Sequence, residues 1–521
     1  MGNVFSSKTA QNERMDLLLE GAFKIISRYL ADSGDETQKV VQLASPDEIE
    51  AAVNVKLRNK GRTDAEVLTS LEQALKFSMR TSHPNFHNQL FAACHPLGIV
   101  GELCSTVANS SMYTFEVAPS FLVLEREVFN KMHNLIGWEG GDGMFCPGGS
   151  LSNFYGMNLA RFWACRRVGI DVKKDGMRKA PDLVAFVSEQ GHYSASKAAS
   201  FLGLGTASLV KVAVDEQGRM DPNDLASKIQ AARNAGRTPF FVQATAATTV
   251  LGGYDDFDKI CDVAQAGGDD QKLWVHVDGC WGASVLLSPN KKHLMKGVER
   301  CDSLAWNPHK LMGIPLQCSA FLTSPRHSNM LEVAHSAKAK YLFQQDKLNA
   351  SLDTGDKSVQ CGRKVDILKL WAAWASMGDE GYADHIDYIF ELAEYLTSQV
   401  KARKDAFRLV TKPMCTNVCF WFIPPSVRDA EGKEETTEAG YEASSRWSEQ
   451  KRKVVHEAAA TIKSRMQQKG SLMIGYQSIK LCTDDSAPNF FRMVVVSGKG
   501  VNEKKHMDFL LDEIALLGSD L

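Results

Sequence analysis

The chain has 521 residues, which is too long for one small hydrophobic core and predicts two or three domains. Its hydrophobic content of 44% and charged content of 23% are typical of a soluble globular protein. The net charge is only −2, with acidic and basic residues interspersed, so the composition gives no indication of a nucleic-acid-binding surface. No apolar stretch is long enough to cross a bilayer as a helix.

Twelve cysteines are scattered along the chain without the paired spacing of a metal site, and no secretory signal precedes them. Reduced thiols in the cytoplasm and no bound metal are therefore expected. The first residues, Met1-Gly-Asn-Val-Phe-Ser6, fit the pattern for N-myristoylation at Gly2. A single acyl chain would give only reversible membrane association, and the alternative is a frayed polar terminus that matches a short pattern by chance.

In chain order, residues 1–14 are polar and predict a disordered terminus, and residues 15–119 predict an N-terminal helical domain. Apolar residues at helical spacing, from Leu17 to Leu30, support the first helix of that domain. Over residues 120–377 helical segments alternate with short apolar runs, which predicts a large domain on a mostly parallel sheet covered on both faces. The clearest predicted strands are 183–187, 209–214, 239–243, 273–278 and 318–322, with helices at 221–235 and 257–266.

Residues 378–521 predict a smaller C-terminal domain of α+β type. It opens with a helix at 390–400 and continues with strands at 416–422 and 489–496. The charged stretch 428–448 predicts an exposed insertion or a connection between helices.

Two residues indicate the chemistry of the large domain. The run Leu273-Trp-Val-His-Val-Asp278 predicts a buried strand that ends on an acid, and Lys310 closes the run Ser303-Leu-Ala-Trp-Asn-Pro-His-Lys310. Ligands of a parallel sheet bind at the carboxyl ends of its strands. A lysine amine can condense with the aldehyde of pyridoxal phosphate, and a carboxylate can keep the pyridine nitrogen protonated so that the ring accepts electrons. The alternative is a surface lysine and a helix-capping aspartate, which the combined context disfavours.

A phosphate-binding segment has to accompany such a cofactor. Glycines in Gly137-Trp-Glu-Gly-Gly-Asp-Gly143 and Phe145-Cys-Pro-Gly-Gly-Ser150 lead into a predicted helix at 151–161. Free backbone N–H groups at a helix start hold phosphate, and the helix dipole assists. His192 follows the strand at 183–187 and could stack on a planar ring, although its local sequence alone favours a hydrogen-bonded loop histidine.

A collinear set of motifs runs from about residue 75 to the C-terminus. These motifs are His83-Pro-Asn-Phe-His-Asn-Gln-Leu90, Tyr113-Thr-Phe-Glu-Val-Ala-Pro119, Phe145-Cys-Pro-Gly-Gly-Ser-Leu-Ser-Asn153, His276-Val-Asp-Gly-Cys-Trp-Gly282, Trp306-Asn-Pro-His-Lys310, Tyr341-Leu-Phe-Gln-Gln-Asp-Lys347, Leu352-Asp-Thr-Gly-Asp-Lys357 and Asn489-Phe-Phe-Arg492. With them the chain resembles the group II pyridoxal-phosphate decarboxylases of fold type I, in the branch of glutamate decarboxylase and cysteine sulfinate decarboxylase, and is most similar to the latter. The resemblance implies an α/β fold with a mostly parallel seven-stranded sheet between helices, an N-terminal helical segment and a small C-terminal α+β domain.

The resemblance also implies roles for the matching positions. Lys310 would carry pyridoxal 5′-phosphate as a Schiff base, Asp278 would pair with the pyridine nitrogen and His192 would stack on the ring. Gln89 and Arg492 would bind a substrate carboxylate, a task that suits the planar fork of arginine. The family further implies a homodimer with the active site at the subunit interface. The residues that would hold the phosphate are Gly149, Ser150, Asn307 and His309, with Thr249 nearby.

Two positions bear on the substrate. Glutamate-specific relatives tend to carry a small polar residue at the position of Phe91 and asparagine at that of Ser111, whereas Phe91 with Ser111 resembles the cysteine sulfinate enzymes. A bulky Phe91 would shorten the pocket and favour a short acidic amino acid. The expected substrates are cysteine sulfinate, cysteate and aspartate, which give hypotaurine, taurine and β-alanine. Glutamate decarboxylation to γ-aminobutyrate is the alternative, in which case both residues reflect neutral drift.

The chain departs from the family pattern at three places. Relatives usually carry a tyrosine after the Gln-Gln-Asp-Lys motif as a candidate proton donor, but Lys347 is followed here by Leu348-Asn-Ala-Ser351, one residue shorter. Without that donor the carbanion could be diverted to oxidative deamination. Gly279 and Cys280 replace two alanines, and Ala247 replaces a glycine in a turn. A non-catalytic binding homologue is a further alternative, disfavoured because such a site would have lost its lysine, aspartate or arginine.

Overall fold

The computed structural model of the protein describes residues 8–344, 346–428, 440–481 and 487–521. Gly2 and most of the predicted insertion at 428–448 lie outside these ranges, so the acylation of Gly2 and the role of the insertion stay predictions. Within the described ranges, none of the helices is both long and apolar enough to span a membrane.

Helices and strands alternate through most of the described chain. The helices are α1 (Lys8–Gly34), α2 (Pro46–Val53), α3 (Asp64–Lys76), α4 (Pro96–Ala108), α5 (Pro119–Ile136), α6 (Gly149–Arg167), α7 (Val172–Asp175), α8 (Ser194–Phe201), α9 (Pro222–Asn234), α10 (Phe257–Gln265), α11 (Met330–His335), α12 (Ile367–Ala402), α13 (Tyr441–Ser445), α14 (Glu449–Lys469) and α15 (Lys504–Leu517). The strands are β1 (Phe86–His87), β2 (Asp142–Cys146), β3 (Leu183–Ser188), β4 (Leu209–Val212), β5 (Thr238–Thr245), β6 (Trp274–Gly279), β7 (Ser303–Trp306), β8 (Ser319–Thr323), β9 (Phe407–Leu409), β10 (Asn417–Phe422), β11 (Met473–Gln477) and β12 (Phe490–Val494).

The large sheet has seven strands in the order β2-β8-β7-β6-β5-β3-β4. The neighbours β7, β6, β5, β3 and β4 are parallel, and β8 runs antiparallel between β7 and β2. This topology confirms the predicted α/β fold with a mostly parallel seven-stranded sheet. The five runs predicted as strands form β3, β4, β5, β6 and β8, with small shifts at their ends.

The two faces of the sheet pack into separate cores, because successive side chains of a strand point to opposite faces. In β3, Leu183 and Val187 join a cluster with α6 and α8, whereas Val184 and Phe186 join the cluster that includes α9 and α10. Every residue of β3 and of β6 is buried. Since helices cover both faces, a ligand has to approach the sheet at the ends of its strands.

The smaller sheet has five strands in the order β1-β11-β12-β10-β9. Its edge strand β1 comes from the region predicted to be helical, and it pairs in parallel with β11, matching Phe86 with Met473 and His87 with Ile474. The other neighbours are antiparallel. The pairing brings Asn88 and Gln89, which follow β1, to the C-terminal part of the chain.

Helix α1 corrects the predicted extent of the disordered terminus. Residues 8–14 form its first turns, and Arg14 pairs with Asp64 of α3 at 2.6 Å. Gly21 lets α1 approach α3, because a Cβ at that position would lie 2.8 Å from Leu68 Cδ1. Contacts with a helix distant in sequence therefore order a segment whose own composition is polar.

Helix α12 begins well before the helix predicted at 390–400. It runs from Ile367 and bends at Gly378, whose φ of 61° is non-helical. Glycine adopts this left-handed conformation without the steric penalty of a side chain. The division of the chain at residues 377 and 378 stays a prediction.

Candidate active site

Lys310 follows strand β7, and Asp278 lies at the carboxyl end of the neighbouring parallel strand β6. Asp278 is 5% exposed, and its carboxylate accepts hydrogen bonds from Asn153 Nδ2 at 2.7 Å and from the backbone N–H of Cys280 at 3.2 Å. Burial alone would raise the pKa of Asp278, but the charges of Lys310 and His192 outweigh it and hold the pKa below its ordinary value. Asp278 is therefore a carboxylate at neutral pH, beside the lysine.

His192 lies after β3, close enough to Asp278 and Lys310 for both charges to affect its pKa. Its Nδ1 accepts a hydrogen bond from the backbone N–H of Ser194 at 3.3 Å, and its ring packs against Tyr193 with 4.1 Å between ring centroids. Burial lowers the pKa of His192, although Asp278 opposes the shift. The position suits both expectations, a hydrogen-bonded loop histidine and a neutral ring beside the lysine, and its role stays a prediction.

The glycine-rich segment before α6 forms a cradle at the start of that helix. Helix α6 begins at Gly149, and no side chain caps the N–H groups of its first turn. A Cβ at position 149 would lie 2.4 Å from Cys280 Sγ and 2.7 Å from Asn307 Nδ2, so only glycine fits. Asn307 is 3% exposed, and one atom of its amide, Oδ1, has no partner among the described residues. The uncapped N–H groups at the start of α6 fit a phosphate group, which accepts hydrogen bonds, whereas the unpartnered Asn307 Oδ1 is itself an acceptor and adds nothing to that fit.

The other predicted phosphate residues differ in how well the structure supports them. Ser150 is exposed in the first turn of α6. His309 is buried, with Nδ1 2.7 Å from the carbonyl oxygen of Cys318, and burial lowers its pKa to about 4. The described contacts of Thr249 are not with the phosphate-binding segment. Its carbonyl oxygen accepts a hydrogen bond from Arg492 at 3.1 Å. The assignment of Thr249 to the phosphate stays a prediction without a supporting contact.

Arg492 of β12 lies beside the segment that follows β1. It donates to the carbonyl oxygens of Thr249 at 3.1 Å and Asn88 at 3.0 Å, and its Nε is buried with no partner among the described residues. Burial lowers the pKa of Arg492. Gln89, the residue after Asn88, is exposed. The structure thus places Arg492 beside Asn88, the residue before Gln89, and the binding of a carboxylate by Gln89 and Arg492 stays a prediction.

None of the described side-chain hydrogen bonds joins Ser111 to this group, and Phe91 stands two residues after Gln89. Ser111 Oγ is buried without a described partner, and a Cβ at Gly362 would lie 2.9 Å from it. The next residue, Met112, donates its backbone N–H to the carbonyl oxygen of Arg363. Phe91 is half-buried. None of these contacts joins Ser111 to Lys310 within one chain.

Two residues of the site, Asn153 and Lys463, were not predicted from the sequence. Asn153 holds Asp278, and its position one helical turn after Gly149 is a signal that could have revealed it. Lys463 of α14 donates to the carbonyl oxygen of Ile474 at 2.6 Å and to Asn88 Oδ1 at 2.9 Å, and burial lowers its pKa to about 8. Lys463 is one of many charged residues of α14, and its neighbours in the sequence do not mark it as a binding residue. None of the ion pairs found among the described residues involves Lys463 or Arg492.

The family model for the pyridoxal-dependent decarboxylase conserved domain matches residues 46–423. The chain belongs to the pyridoxal-dependent decarboxylases. Cysteine sulfinic acid decarboxylase of Mus musculus is 43% identical over 509 residues, which cover 97% of each chain. An acidic amino acid decarboxylase of Bos taurus is 41% identical over 498 residues, 95% of this chain and 89% of the relative. A crystal structure of mouse CSAD has a TM-score of 0.89 at 42% identity and covers 98% of this chain and 99% of that one.

The decarboxylase acts on an acidic amino acid and uses pyridoxal phosphate, which the cradle at Gly149 and the lysine at 310 fit. Cys280 packs against Gly149. Burial, and then the charge of Asp278, raise the pKa of the Cys280 thiol well above its ordinary value. The thiol is therefore protonated at neutral pH and serves as a small packing group rather than a thiolate.

Proposed function

We propose that this decarboxylase acts on a short acidic L-amino acid, with cysteine sulfinate, cysteate and aspartate as substrates and hypotaurine, taurine and β-alanine as products. The observation that carries the proposal is the pair of half-buried cations, Arg492 and Lys463, which both bond to Asn88 and form no ion pair among the described residues. A cation that is partly removed from water without an opposite partner is unfavourable, and a substrate carboxylate would relieve that cost. The names of the relatives, cysteine sulfinic acid decarboxylase and acidic amino acid decarboxylase, support the same substrate class.

In the proposed site Lys310 would hold pyridoxal 5′-phosphate covalently and His192 would stack on its ring. When bound, the cofactor supplies an electron-poor ring that accepts the electron pair left as the α-carboxylate departs. Asp278 keeps the pyridine nitrogen protonated, and Gln89 with Arg492 orients a substrate carboxylate. The proposed phosphate partners are Gly149, Ser150, Asn307, His309 and Thr249.

A substrate panel tests this proposal. Amine and carbon dioxide are measured with cysteine sulfinate, cysteate, aspartate and glutamate at equal concentrations. The shorter substrates should turn over fastest, and glutamate turning over fastest would reject the argument from pocket length. Lys310→Ala should abolish turnover, whereas Lys296→Ala, at a lysine whose side chain is 84% exposed, should leave it unchanged.

Glutamate decarboxylation to γ-aminobutyrate is the second candidate, and the residues at 91 and 111 decide between the two. A bulky Phe91 shortens the pocket, and Ser111 stands where glutamate-specific relatives have asparagine. Phe91→Ser combined with Ser111→Asn should therefore raise glutamate turnover relative to cysteine sulfinate turnover. An unchanged ratio would mean that the two residues reflect neutral drift.

Oxidative deamination is a third candidate, favoured by the loop that lacks the family tyrosine. Dissolved dioxygen would be the oxidant and would take up two electrons and two protons to give hydrogen peroxide, while water would release the product as an aldehyde and ammonia. Lys347 in that loop pairs with Glu116 at 2.7 Å, and Asn349 takes a turn conformation with φ 57°. No tyrosine stands between Lys347 and Thr354 to return a proton to the substrate carbon. Peroxide and ammonia released in step with carbon dioxide would support this candidate, and stoichiometric amine would reject it.

We propose that the enzyme is a homodimer with its active site at the interface. Apolar side chains are exposed on three N-terminal helices, among them Leu17 of α1 at 69%, Leu71 of α3 at 53% and Val107 of α4 at 83%. Such a surface suits contact with a second copy, and a second copy could bring its Ser111 to the Lys310 of the first. Light scattering should give twice the chain mass of 57.4 kDa. Full activity in a monomer would contradict the proposal.

A cytoplasmic location is part of the same proposal. Each described cysteine is a free thiol, which suits a reducing compartment. Acylation of Gly2 would add reversible membrane association, and mass spectrometry of the N-terminal peptide from the native source tests it. An unmodified Gly2 would reject that part.

A further inference from the structure

A line of buried polar side chains extends from Asp278 into the core. Asp278 Oδ2 accepts a hydrogen bond from Asn153 Nδ2 at 2.7 Å, and Asn153 Oδ1 lies 3.0 Å from His276 Nε2. His276 Nδ1 lies 2.8 Å from Ser303 Oγ, which in turn lies 2.8 Å from Trp274 Nε1. None of the five side chains is more than 5% exposed. They form one continuous chain of hydrogen bonds across strands β6 and β7 to helix α6.

The chemistry of these groups fixes the direction of every hydrogen bond. An indole N–H can only donate, so Ser303 Oγ accepts from Trp274. The Ser303 hydroxyl keeps its proton and a second lone pair, so the other end of the chain of bonds decides its role towards His276. The Asp278 carboxylate can only accept, so Asn153 Nδ2 donates to it and Asn153 Oδ1 faces His276 Nε2. The neutral ring therefore carries its proton on Nε2, and its Nδ1 accepts from the Ser303 hydroxyl. Nε2 donates to Asn153 Oδ1, and the two N–H groups of Asn153 are left for Asp278 and for Ser194 Oγ at 2.9 Å.

A single proton on His276 is required for this arrangement, and its surroundings supply that condition. His276 is fully buried, and burial lowers its pKa to about 4, so the imidazole is neutral at neutral pH. The ring is also held in place. A Cβ at Gly156 would lie 2.7 Å from His276 Nδ1, and Phe241 stacks on the ring with 6.0 Å between centroids.

We propose that Trp274, Ser303 and His276 are positioning residues that keep an N–H group of Asn153 directed at Asp278. The proposal deepens the proposed function and rests on it, because it takes Asp278 to be the partner of the pyridine nitrogen. In the reverse arrangement Asn153 turns its carbonyl oxygen to the carboxylate, and two buried acceptors face each other. Asp278 then takes up a proton more readily, and the pyridine nitrogen loses its charged partner.

Trp274→Phe in the holoenzyme removes the N–H that occupies one lone pair of Ser303 Oγ and so favours donation by the Ser303 hydroxyl to His276, at a residue outside the proposed cofactor contacts. The readout is the pH at which the visible absorbance band of the bound cofactor changes. A pyridine nitrogen that has lost its proton withdraws less electron density from the nitrogen that joins Lys310 to the cofactor. This linking nitrogen then holds its own proton more tightly. We expect the transition to move to higher pH by roughly 0.5 unit or more.

Trp421→Phe is the matched control, because Trp421 is equally buried and donates its N–H to the carbonyl oxygen of Pro488 at 3.0 Å, outside this chain of bonds. Ser303→Ala breaks the chain at its middle and should move the transition in the same direction, which guards against misfolding of the tryptophan variant. An unaltered transition in both Trp274→Phe and Ser303→Ala would overturn the inference alone. A wild-type protein without the band, or a band that survives in Lys310→Ala, would overturn the proposed function and the inference with it.

Discussion

Lys463 carries its charge next to the proposed carboxylate site, but only up to moderately alkaline pH. Burial lowers its pKa from 10.5 to about 8, and its described oxygen partners, on Ile474 and Asn88, are neutral. Below pH 8 the ammonium attracts an acidic substrate, and above pH 8 the lost proton removes that attraction. We expect the KM for cysteine sulfinate to rise between pH 8 and pH 9, by up to roughly tenfold if Lys463 alone is responsible.

Lys463→Arg separates this effect from titration of the substrate amine, because arginine stays charged throughout that range. Steady-state kinetics should show a smaller alkaline rise of KM in the variant. The same rise in both proteins would show that Lys463 does not attract the substrate.

Ala247 occupies a backbone conformation that suits glycine. Its φ is 65°, in the left-handed region, and it is 3% exposed. The left-handed conformation costs a residue with a Cβ roughly 1–2 kcal/mol. Ala247→Gly should therefore raise the free energy of unfolding by about 1 kcal/mol, measured by denaturant titration. Its neighbour Ala246 is fully buried in a bridge to Tyr254, and Ala246→Gly should lower the same quantity. Equal destabilisation by both substitutions would contradict the argument from φ.

At the scale of elements, one buried ion pair ties three segments together. Arg363 donates to both carboxylate oxygens of Glu125 on α5, at 2.7 and 3.0 Å, and to Thr354 Oγ1 at 2.7 Å, and both charged side chains are 3% exposed. Its carbonyl oxygen accepts the backbone N–H of Met112, next to Ser111. Removing one partner leaves the other charge buried and unpaired.

Glu125→Gln should lower the free energy of unfolding by about 3 kcal/mol or more, although the glutamine has almost the same shape. Denaturant titration measures the change. Glu20→Gln provides the comparison, because Glu20 forms an exposed pair with Lys24 and its loss should leave the midpoint unchanged. Similar midpoints for both variants would mean that the Arg363 charge finds another partner.

Sequence alone could locate the elements whose signal is local. Strands β3 and β6 are continuous apolar runs because they are buried on both faces, and Asp278 and Lys310 stand out since they end or follow such strands. Strand β1 could not be found in this way, because it has two residues and depends on pairing with β11. The same limit applies to Lys463, whose partner Asn88 is 375 positions away, and to the hydrogen bonds that link His276 to Asn153 across the sheet. Tertiary contact creates these features, and no short window of sequence contains them.

At the scale of the whole molecule, buried histidines make the fold sensitive to acid. Burial lowers the pKa of several imidazoles to about 4, and that of one to about 3, against an ordinary value of 6.5. The former are His133, His276, His309 and His335, and the latter is His87. In the unfolded chain these rings take up protons near pH 6.5, whereas in the folded protein they do so only near pH 4. The unfolded state therefore binds more protons between these values, and stability is lost as the pH falls.

We expect the free energy of unfolding to decrease from pH 7 to pH 5, with each extra proton contributing about 1.4 kcal/mol per pH unit. Asp255 opposes the trend, because burial raises its pKa to about 7, and burial also raises the pKa of Asp142 and of Asp366, but three carboxyl groups are fewer than the five imidazoles. Denaturant midpoints measured at pH 7, 6 and 5 check the slope. His335→Gln removes one of the titrating rings, which accepts from Asn158 at 2.8 Å, so the variant should show a shallower pH dependence than the wild type. A stability that is flat from pH 7 to pH 5, or a slope unchanged by His335→Gln, would show that these imidazoles are protonated in the folded protein.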